Sequence, residues 1–428
     1  MIAPARRAAF DALVAHATRG TDLPSALAAV RRQLTDTRDH TLATELVSGT
    51  VRMQRALDFQ LAQRTSRPLA GLDAAVLIAL RLGAFQLLYL DRVPASAAVH
   101  DAVDLTRRAG KTSARGLVNA VLRSLARDAG RLEWPTEATP EALGTRLSHP
   151  DWLVARWLSR YGVDRTTRWL EFNNRPARLC LAVNRLKGTR EELAARLDSE
   201  GVVTRPTARA PHGLVVLEGA ALGTRAFRDG WFVVQDEASQ LIPELAPIEP
   251  GARVLDLCAA PGGKTVALAA STGAGGYVVA CDVRPRRVRL LRATLARAGL
   301  GRLAVVQVPG AGTLPFLDAS FDAVLVDAPC SGLGTVRRDP DIRWVRQPED
   351  LVRLAAEQSR LLREAARLVR SGGSLVYATC SSEPDENEHV VAAFLSDHPS
   401  FTLAREHHTL PPEDGLEAFY GAVIVRNV

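Results

Sequence analysis

The sequence predicts a multidomain chain of class α plus α/β, in which an all-α region is followed by a small α/β segment and then by a parallel α/β sheet. Residues 5–128 place apolar side chains at the three- and four-residue spacing of amphipathic helices. From residue 230 onward, short apolar runs alternate with helical stretches, which is typical of a parallel sheet covered by helices. At 428 residues the chain has room for two or three domains.

The N-terminal region, predicted as residues 1–130, has the pattern of a helical bundle. Its longest apolar stretch, residues 73–90, is apolar on nearly every face, which predicts a central helix. Helices are also predicted over 97–108 and 117–126. Residues 1–130 contain 18 Lys and Arg against 11 Asp and Glu, so they carry the whole formal charge of +7. This excess favours a polyanion partner, although a solvated arginine-rich surface would have the same composition.

Four short motifs stand out in this bundle. They are Leu46-Val47-x-Gly49, Leu80-Arg81-Leu82-Gly83, Val93-Pro94 and Gly116-x-Val118-Asn119-Ala120-Val121-Leu122-Arg123. Together they resemble the NusB-like RNA-binding domain, over roughly residues 1–128. The resemblance implies that the N-terminal bundle binds RNA.

A polar stretch with Pro135 and Pro140 marks a linker after the bundle. The following region, residues 145–225, is predicted to be a small α/β platform domain. It has strand candidates at Leu179–Val183 and Gly213–Leu217, and Thr189-x-x-Glu192 forms a capping box at the start of a helix.

The C-terminal region, residues 226–428, alternates strands with helices such as the one predicted over 348–370. Ligands of open α/β sheets bind beyond the carboxyl ends of the strands, and the polar residues of this region fall there. The predicted strands are 253–258, 277–282, 303–308, 323–327 and 374–379, with a last strand at 418–428.

The central motif is V-L-D-L-C-A-A-P-G-G-K-T at 254–265, the pattern of a buried strand, a tight glycine turn and a helix. A phosphate-binding P-loop is excluded, because Cys258 stands where that motif needs glycine. Asp282 ends the next strand, 21 residues after Pro261, where an acidic side chain accepts hydrogen bonds from ribose hydroxyls. These residues are compatible with either NAD or S-adenosylmethionine as the cofactor. The absence of a G-x-G-x-x-G motif disfavours a dinucleotide.

Two later strands each end in a cysteine, in Asp327-Ala328-Pro329-Cys330 and in Thr379-Cys380. One such cysteine usually only fills space, but two at neighbouring strand ends beside a cofactor turn favour chemistry. They suit methylation of carbon 5 of a pyrimidine, because a thiolate that adds to carbon 6 makes carbon 5 nucleophilic. Asp327 is then the candidate acid at ring N3, expected to be protonated in a closed pocket, and Lys264 is the cation that stabilises a thiolate.

The motifs C-A-A-P-G-G-K-T, D-A-P-C-S-G-x-G and T-C-S together resemble the RNA cytosine-5 methyltransferases of the Sun type, and with the N-terminal motifs the resemblance covers nearly the whole chain. It implies a Rossmann-like sheet, S-adenosyl-L-methionine as cofactor, and methyl transfer to carbon 5 of a cytosine in 16S ribosomal RNA through a cysteine adduct. It implies that Cys380 is the nucleophile and that Cys330 assists product release, a ranking that the residues alone leave open. The implied cofactor-binding residues are Cys258, Ala259, Ala260, Pro261, Gly262, Gly263, Lys264, Asp282 and Asp327.

The stretch after Cys330 is rich in arginine and suits phosphate neutralisation and base stacking. The predicted RNA contacts there are Arg337, Arg338, Arg343 and Trp344. A second cluster, which equally suits a solvated helix face, comprises Arg284, Arg286, Arg287, Arg289 and Arg292.

Two departures from the family pattern keep alternatives open. Residues 308–312 offer no carboxylate to bind adenine after the third strand, and residues 418–428 lack the usual D-G-F-F start. The alternatives are a transfer RNA cytosine-5 methyltransferase and an RNA-binding ribosome assembly factor with a weakened methylation site.

The five cysteines are scattered, which indicates a reducing, cytoplasmic setting rather than a disulfide framework. The histidines lack zinc-ligand spacing, and no apolar run is long enough to span a membrane. We therefore expect no metal and no membrane partner, and a monomer.

Overall fold

The computed structural model describes residues 2–300 and 303–428. The chain forms two compact units, Met1–Pro176 with Val336–Val345 and Ala177–Thr335 with Arg346–Val428. Within the described residues, no helix has both the length and the apolar character that a membrane span requires. The helices are α1 Pro4–Arg19, α2 Leu23–Gln33, α3 Thr37–Arg52, α4 Gln54–Ala62, α5 Ala74–Tyr89, α6 Ala95–Arg108, α7 Arg115–Asp128, α8 Pro140–Arg146, α9 Asp151–Asn174, α10 Arg190–Ser199, α11 Arg225–Arg228, α12 Glu237–Leu241, α13 Gly263–Thr272, α14 Pro285–Ala298, α15 Ile342–Val345, α16 Pro348–Leu368, α17 Glu388–Asp397 and α18 Pro411–Asp414. The strands are β1 Cys180–Val183, β2 Val203–Pro206, β3 Gly213–Glu218, β4 Phe232–Val234, β5 Arg253–Asp256, β6 Tyr277–Asp282, β7 Ala304–Gln307, β8 Phe321–Asp327, β9 Val369–Thr379, β10 Phe401–Thr409 and β11 Phe419–Arg426.

The first unit is helical, as predicted, and α5 is its central helix. The side chain of Asp73 caps α5 by accepting a hydrogen bond from the Ala75 amide, and the helix buries residues on all sides because it is apolar throughout. Helix α3 packs closely against it, since a Cβ at Gly49 would lie 2.0 Å from Cζ of Phe85. The glycine in the predicted Leu46-Val47-x-Gly49 motif is therefore needed for helix packing.

The second unit begins with a small antiparallel sheet in the order β2-β3-β1-β4. Strands β1 and β3 confirm the two predicted strands, and the capping box of α10 forms as predicted between Thr189 and Glu192. Strands β2 and β4 were not predicted, because β2 is mostly exposed and β4 is only three residues long. The predicted boundary at residue 226 stays a prediction, and β4, which lies beyond it, pairs with β1.

The large sheet has the order β10-β11-β9-β8-β5-β6-β7. The strands from β5 to β9 pair in parallel and confirm the five predicted strands, whereas β11 pairs antiparallel with both β9 and β10. Strand β10 was not predicted, because its residues are largely polar and it lies at the edge of the sheet. Strand β5 lies between β6 and β8, so the chain order reverses there. Open α/β sheets bind their ligands in a crevice at the carboxyl end of such a switch point.

Candidate active site

The carboxyl ends of β5, β6, β8 and β9 bring the predicted polar residues to one edge of the sheet. Asp256 ends β5, Asp282 ends β6, Asp327 ends β8, and Cys380 directly follows β9. The strands are parallel neighbours in register, with Asp256 opposite Ala280 of β6 and Asp327 opposite Ala378 of β9. This arrangement places carboxylates and thiols around the crevice, as predicted.

The glycine turn after β5 is tied to the end of β6 by one guanidinium. Arg287 donates from Nη2 to the carbonyl of Ala260 at 2.6 Å and from Nε to Oδ2 of Asp282 at 2.9 Å. Gly262 has a φ of +111°, which glycine tolerates without strain, and α13 begins at the next residue. Arg287 belongs to the second predicted arginine cluster, and the structure gives it a role within the turn.

Asp256 is fully buried and only partly satisfied. Thr265 Oγ1 donates to its Oδ2 at 2.6 Å, while Oδ1 has no hydrogen-bond partner among the described residues. Burial raises the pKa of Asp256 to about 7. A buried acceptor with no partner, the free amides at the start of α13 and the buried carboxylate of Asp282 fit a nucleoside-bearing ligand with an amino group.

Lys264 and Asp327 form an ion pair, with Nζ and Oδ2 separated by 2.7 Å. Burial lowers the pKa of Lys264, but the charge of Asp327 and the hydrogen bond to it outweigh burial and leave that pKa above its usual value. The structure therefore places an ammonium beside Asp327, and the expected protonation of Asp327 stays a prediction. The electrostatic interaction with Cys380 also raises the pKa of Lys264, and the stabilisation of a thiolate by Lys264 stays a prediction.

The structure brings the two predicted cysteines together. Sγ of Cys330 and Sγ of Cys380 are 3.3 Å apart, and both thiols are free and partly exposed. The hydrogen bond with Cys380, followed by burial, raises the pKa of Cys330 well above its usual range. Cys281 differs, because it is fully buried in the core of the sheet. Among the five cysteines, this pair has the geometry of a reaction site.

Glu386, which the sequence did not single out, links two loops that we call the cysteine loops. One follows β8 and contains Cys330, and the other follows β9 and contains Cys380. Glu386 is fully buried and accepts hydrogen bonds from the backbone and hydroxyl of Ser331, the hydroxyl of Ser381 and the amide of Gln358. The available signal was the acidic run E-P-D-E-N-E, which follows T-C-S-S. Such a run normally indicates a solvated loop, whereas here it folds back against the sheet.

Two of the predicted RNA contacts are structural residues of the first unit. The guanidinium of Arg343 is fully buried and donates to the carbonyls of Ser148 and Asn173 and to Oδ1 of Asn174, at 2.9, 3.1 and 2.9 Å. Nε1 of Trp344 donates to the carbonyl of Val51 at 2.8 Å. We therefore correct the prediction for Arg343, because its polar groups are already used inside the protein. The contact of Trp344 with RNA stays a prediction.

The other two predicted RNA contacts, Arg337 and Arg338, are partly exposed, and the guanidinium of Arg337 lies 4.1 Å from the centre of the Phe172 ring. Their contact with RNA stays a prediction. Within the described residues, no group of His, Cys, Asp and Glu side chains is arranged to hold a metal ion.

Comparison with known families assigns each part of the chain. Residues 3–127 match the NusB family. Residues 149–222 match the ferredoxin-like domain of RsmF/B-like methyltransferases. Residues 244–420 match the family described as 16S rRNA methyltransferase RsmB/F.

Individual relatives cover most of the chain. The probable ribosomal RNA small subunit methyltransferase B of Bacillus subtilis is 36% identical over 84% of this chain and 80% of that protein. Ribosomal RNA small subunit methyltransferase B of Pseudomonas putida is 35% identical over 99% of this chain and 97% of its own. The crystal structure of PH0851 covers 99% of both chains with a TM-score of 0.84 and 25% identity. With its three matched regions and its thiol pair beside a cofactor turn, the chain belongs to the RsmB/F family of S-adenosyl-L-methionine-dependent 16S rRNA methyltransferases.

Proposed function

We propose that this protein methylates carbon 5 of a cytosine in 16S ribosomal RNA, through a transient bond between Cys380 and carbon 6 of the base. The observation that carries the proposal is the pair of thiols 3.3 Å apart at the ends of β8 and β9. The names of the relatives in Bacillus subtilis and Pseudomonas putida support ribosomal RNA of the small subunit as the substrate.

The residues around the β5 turn fit the cofactor. S-adenosyl-L-methionine supplies an electrophilic methyl group when it is bound. The residues proposed to hold it are 258–264, Asp282 and Asp327, and Oδ1 of Asp256 adds a buried acceptor without a hydrogen-bond partner among the described residues. Residues 308–312 offer no carboxylate to bind adenine. We therefore expect backbone and apolar contacts to hold the adenine ring.

The thiolate of Cys380 adds to carbon 6, and the electron pair of the 5,6 double bond becomes available at carbon 5 for the methyl group. The Lys264–Asp327 pair serves two purposes in this step. The ammonium stabilises the attacking thiolate, and the pair supplies the proton that ring N3 gains when carbon 6 is attacked. Loss of the carbon-5 proton then lets the carbon–sulfur bond break, and Cys330 assists this release. Because the reacting base must lie against both sulfurs, it has to leave its stack in the RNA.

The test is methylation of 16S ribosomal RNA taken from a strain that lacks the protein, with the modified base mapped afterwards. Wild-type protein is expected to produce one or more 5-methylcytosines, and Cys380→Ala to produce none. Cys330→Ala is expected to accumulate a covalent RNA adduct that survives denaturant in a gel. Undiminished methylation by Cys380→Ala would refute the assigned nucleophile.

Two controls separate the alternatives. Transfer RNA replaces the ribosomal RNA in a parallel reaction, and methylation confined to transfer RNA would overturn the proposed substrate. Calorimetry with S-adenosyl-L-methionine is expected to show binding, and its absence would favour an assembly factor with a weakened site.

A further inference from the structure

We infer that Glu386 is a positioning residue that locks the Cys330 and Cys380 loops together and keeps Cys330 as a thiol, so that Cys330 acts as a hydrogen-bond donor to the sulfur of Cys380. The inference rests on the proposed function, because it divides the proposed chemistry between the two cysteines. It adds a residue outside the predicted site and a specific protonation state for Cys330.

The geometry gives Glu386 contacts to both loops. Ser331 follows Cys330, and it donates to Glu386 from its amide at 2.8 Å and from its hydroxyl at 2.5 Å. Ser381 follows Cys380, and its hydroxyl donates to the same carboxylate at 2.5 Å. One buried side chain therefore bridges the residues next to both sulfurs.

Glu386 is itself held from two sides. The hydroxyl of Tyr377, on β9, donates to its backbone carbonyl at 2.5 Å. Gln358, on α16, donates from Nε2 both to the Glu386 carboxylate at 3.0 Å and to the carbonyl of Pro329 at 2.9 Å. These contacts fix the position of the carboxylate relative to the sheet. Both cysteine loops are hydrogen-bonded to this carboxylate, so their positions relative to each other are fixed as well.

The charges around the two sulfurs differ in sign. The Glu386 carboxylate accepts four hydrogen bonds and donates none, which is the arrangement of an ionised group. The hydrogen bond with Cys380, burial and the charge of Glu386 all raise the pKa of Cys330. Cys380 instead interacts with the ammonium of Lys264. Cys330 is therefore the cysteine of the pair that keeps its proton.

This asymmetry has a chemical consequence at the release step. The electron pair of the bond between carbon 6 and sulfur returns to Cys380, the carbon-5 proton passes to water, and the 5,6 double bond re-forms. The proton on ring N3 returns to the Lys264–Asp327 pair that supplied it. The S–H of Cys330 donates a hydrogen bond to the departing thiolate and keeps its own proton. Cys330 thus accelerates release by stabilising the leaving sulfur.

The experiment measures alkylation of Cys330 by iodoacetamide as a function of pH in Cys380→Ala protein, by mass spectrometry. The titratable groups that face the thiol pair are Glu386, Tyr377 on β9 and Lys264 on α13. Glu386→Gln removes the charge but keeps the size, and the Ser331 and Ser381 hydroxyls can accept from the new amide. We expect the alkylation profile to move to lower pH, with about tenfold faster alkylation at a fixed pH below the midpoint.

Glu237→Gln in the same background is the matched control. Glu237 is also buried in the second unit, but it accepts from the amides of Arg209 and Ala210, outside the cysteine loops. Equal alkylation profiles for the Glu386 and Glu237 variants would overturn the charge assignment. The readout needs neither RNA nor methyl donor, so it remains informative even if the proposed function fails.

A second variant tests positioning without removing the charge. Ser381→Ala deletes one arm of the bridge, and Ser381→Thr keeps the hydroxyl. We expect Ser381→Ala to lower kcat for methylation with little change in KM for the donor, and Ser381→Thr to restore kcat. Wild-type kcat in Ser381→Ala protein would refute the positioning role.

Discussion

Replacing Gly334 with alanine should disrupt the spacing between the Cys330 loop and the Cys380 loop. The Gly334 amide donates to the carbonyl of Cys380 at 3.0 Å, and its carbonyl accepts from the amide of Ala418 at 3.0 Å. A Cβ at this position would lie 2.0 Å from the carbonyl oxygen of Ala418 and 2.8 Å from that of Cys380. Both contacts are with backbone, so neither can be relieved by rotating a side chain.

The size of the effect follows from that geometry. The Ala418 oxygen must move by roughly 1.4 Å to reach ordinary contact with the new carbon, starting from 2.0 Å. Overpacking of this kind costs about 1–3 kcal/mol, and each backbone hydrogen bond lost costs about 1 kcal/mol more. We expect Gly334→Ala to lose about 2–4 kcal/mol of stability in total. A shift of about 1 Å at Cys380 would slow methylation by about 100-fold.

The assay combines urea unfolding with the methylation rate. Gly223→Ala is the matched control, because the structure leaves open space around Gly223, in the same unit and outside the site. We expect the control to match wild type in both measurements. If Gly334→Ala unfolds and methylates as the control does, the close approach of the two loops does not matter for the site and the reasoning is refuted.

Three further changes test the buried groups. Burial raises the pKa of Asp256 from 3.8 to about 7, so the folded protein retains a proton that the unfolded chain releases, and stability falls as pH rises through that window. As pH is raised through that window, the Tm of Asp256→Asn should therefore increase relative to the Tm of wild type. A difference in Tm between the two proteins that does not change with pH would contradict this. Arg343→Ala should lose about 3 kcal/mol or more in urea unfolding, because it leaves buried carbonyls without donors, whereas the exposed Arg115→Ala should stay within about 0.5 kcal/mol of wild type. Gly49→Ala should lose about 1–3 kcal/mol through its clash with Phe85, and adding Phe85→Leu should recover part of the loss; a purely additive double variant would exclude that clash.

The fold was predictable where apolar patterning decides it. Helix α5 and the parallel strands from β5 to β9 are apolar for most of their length, and their periodicity identifies them. Strand β10 escaped prediction because its pairing with β11 supplies backbone hydrogen bonds while most of its side chains remain exposed. Periodicity also carries no information about which unit a short segment joins, and residues 336–345 join the helical one.

The candidate site was predictable where the residue type and its position in the sequence indicate a single role. Two cysteines at neighbouring strand ends indicated chemistry, and the structure places them together. Arginine and glutamate are ambiguous in sequence, because the same residue serves on a solvated surface or as a buried hydrogen-bonding group. Arg343 therefore suggested a phosphate contact and is instead a buried donor, while Glu386, which the sequence did not single out, is a buried acceptor.

Charge, rather than chain position, offers the physical basis for distinguishing the two cysteines. The sequence provides no basis for ranking Cys330 and Cys380, since each follows a parallel strand beside the same turn. In the folded chain, Lys264 comes from α13 and interacts with Cys380, whereas Glu386 lies in the turn after β9 and its charge raises the pKa of Cys330. A cation stabilises a thiolate and an anion destabilises one, so the anion at Glu386 disfavours a thiolate at Cys330. The pairing of Lys264 with Asp327 strengthens this bias, because it holds the ammonium in its charged form.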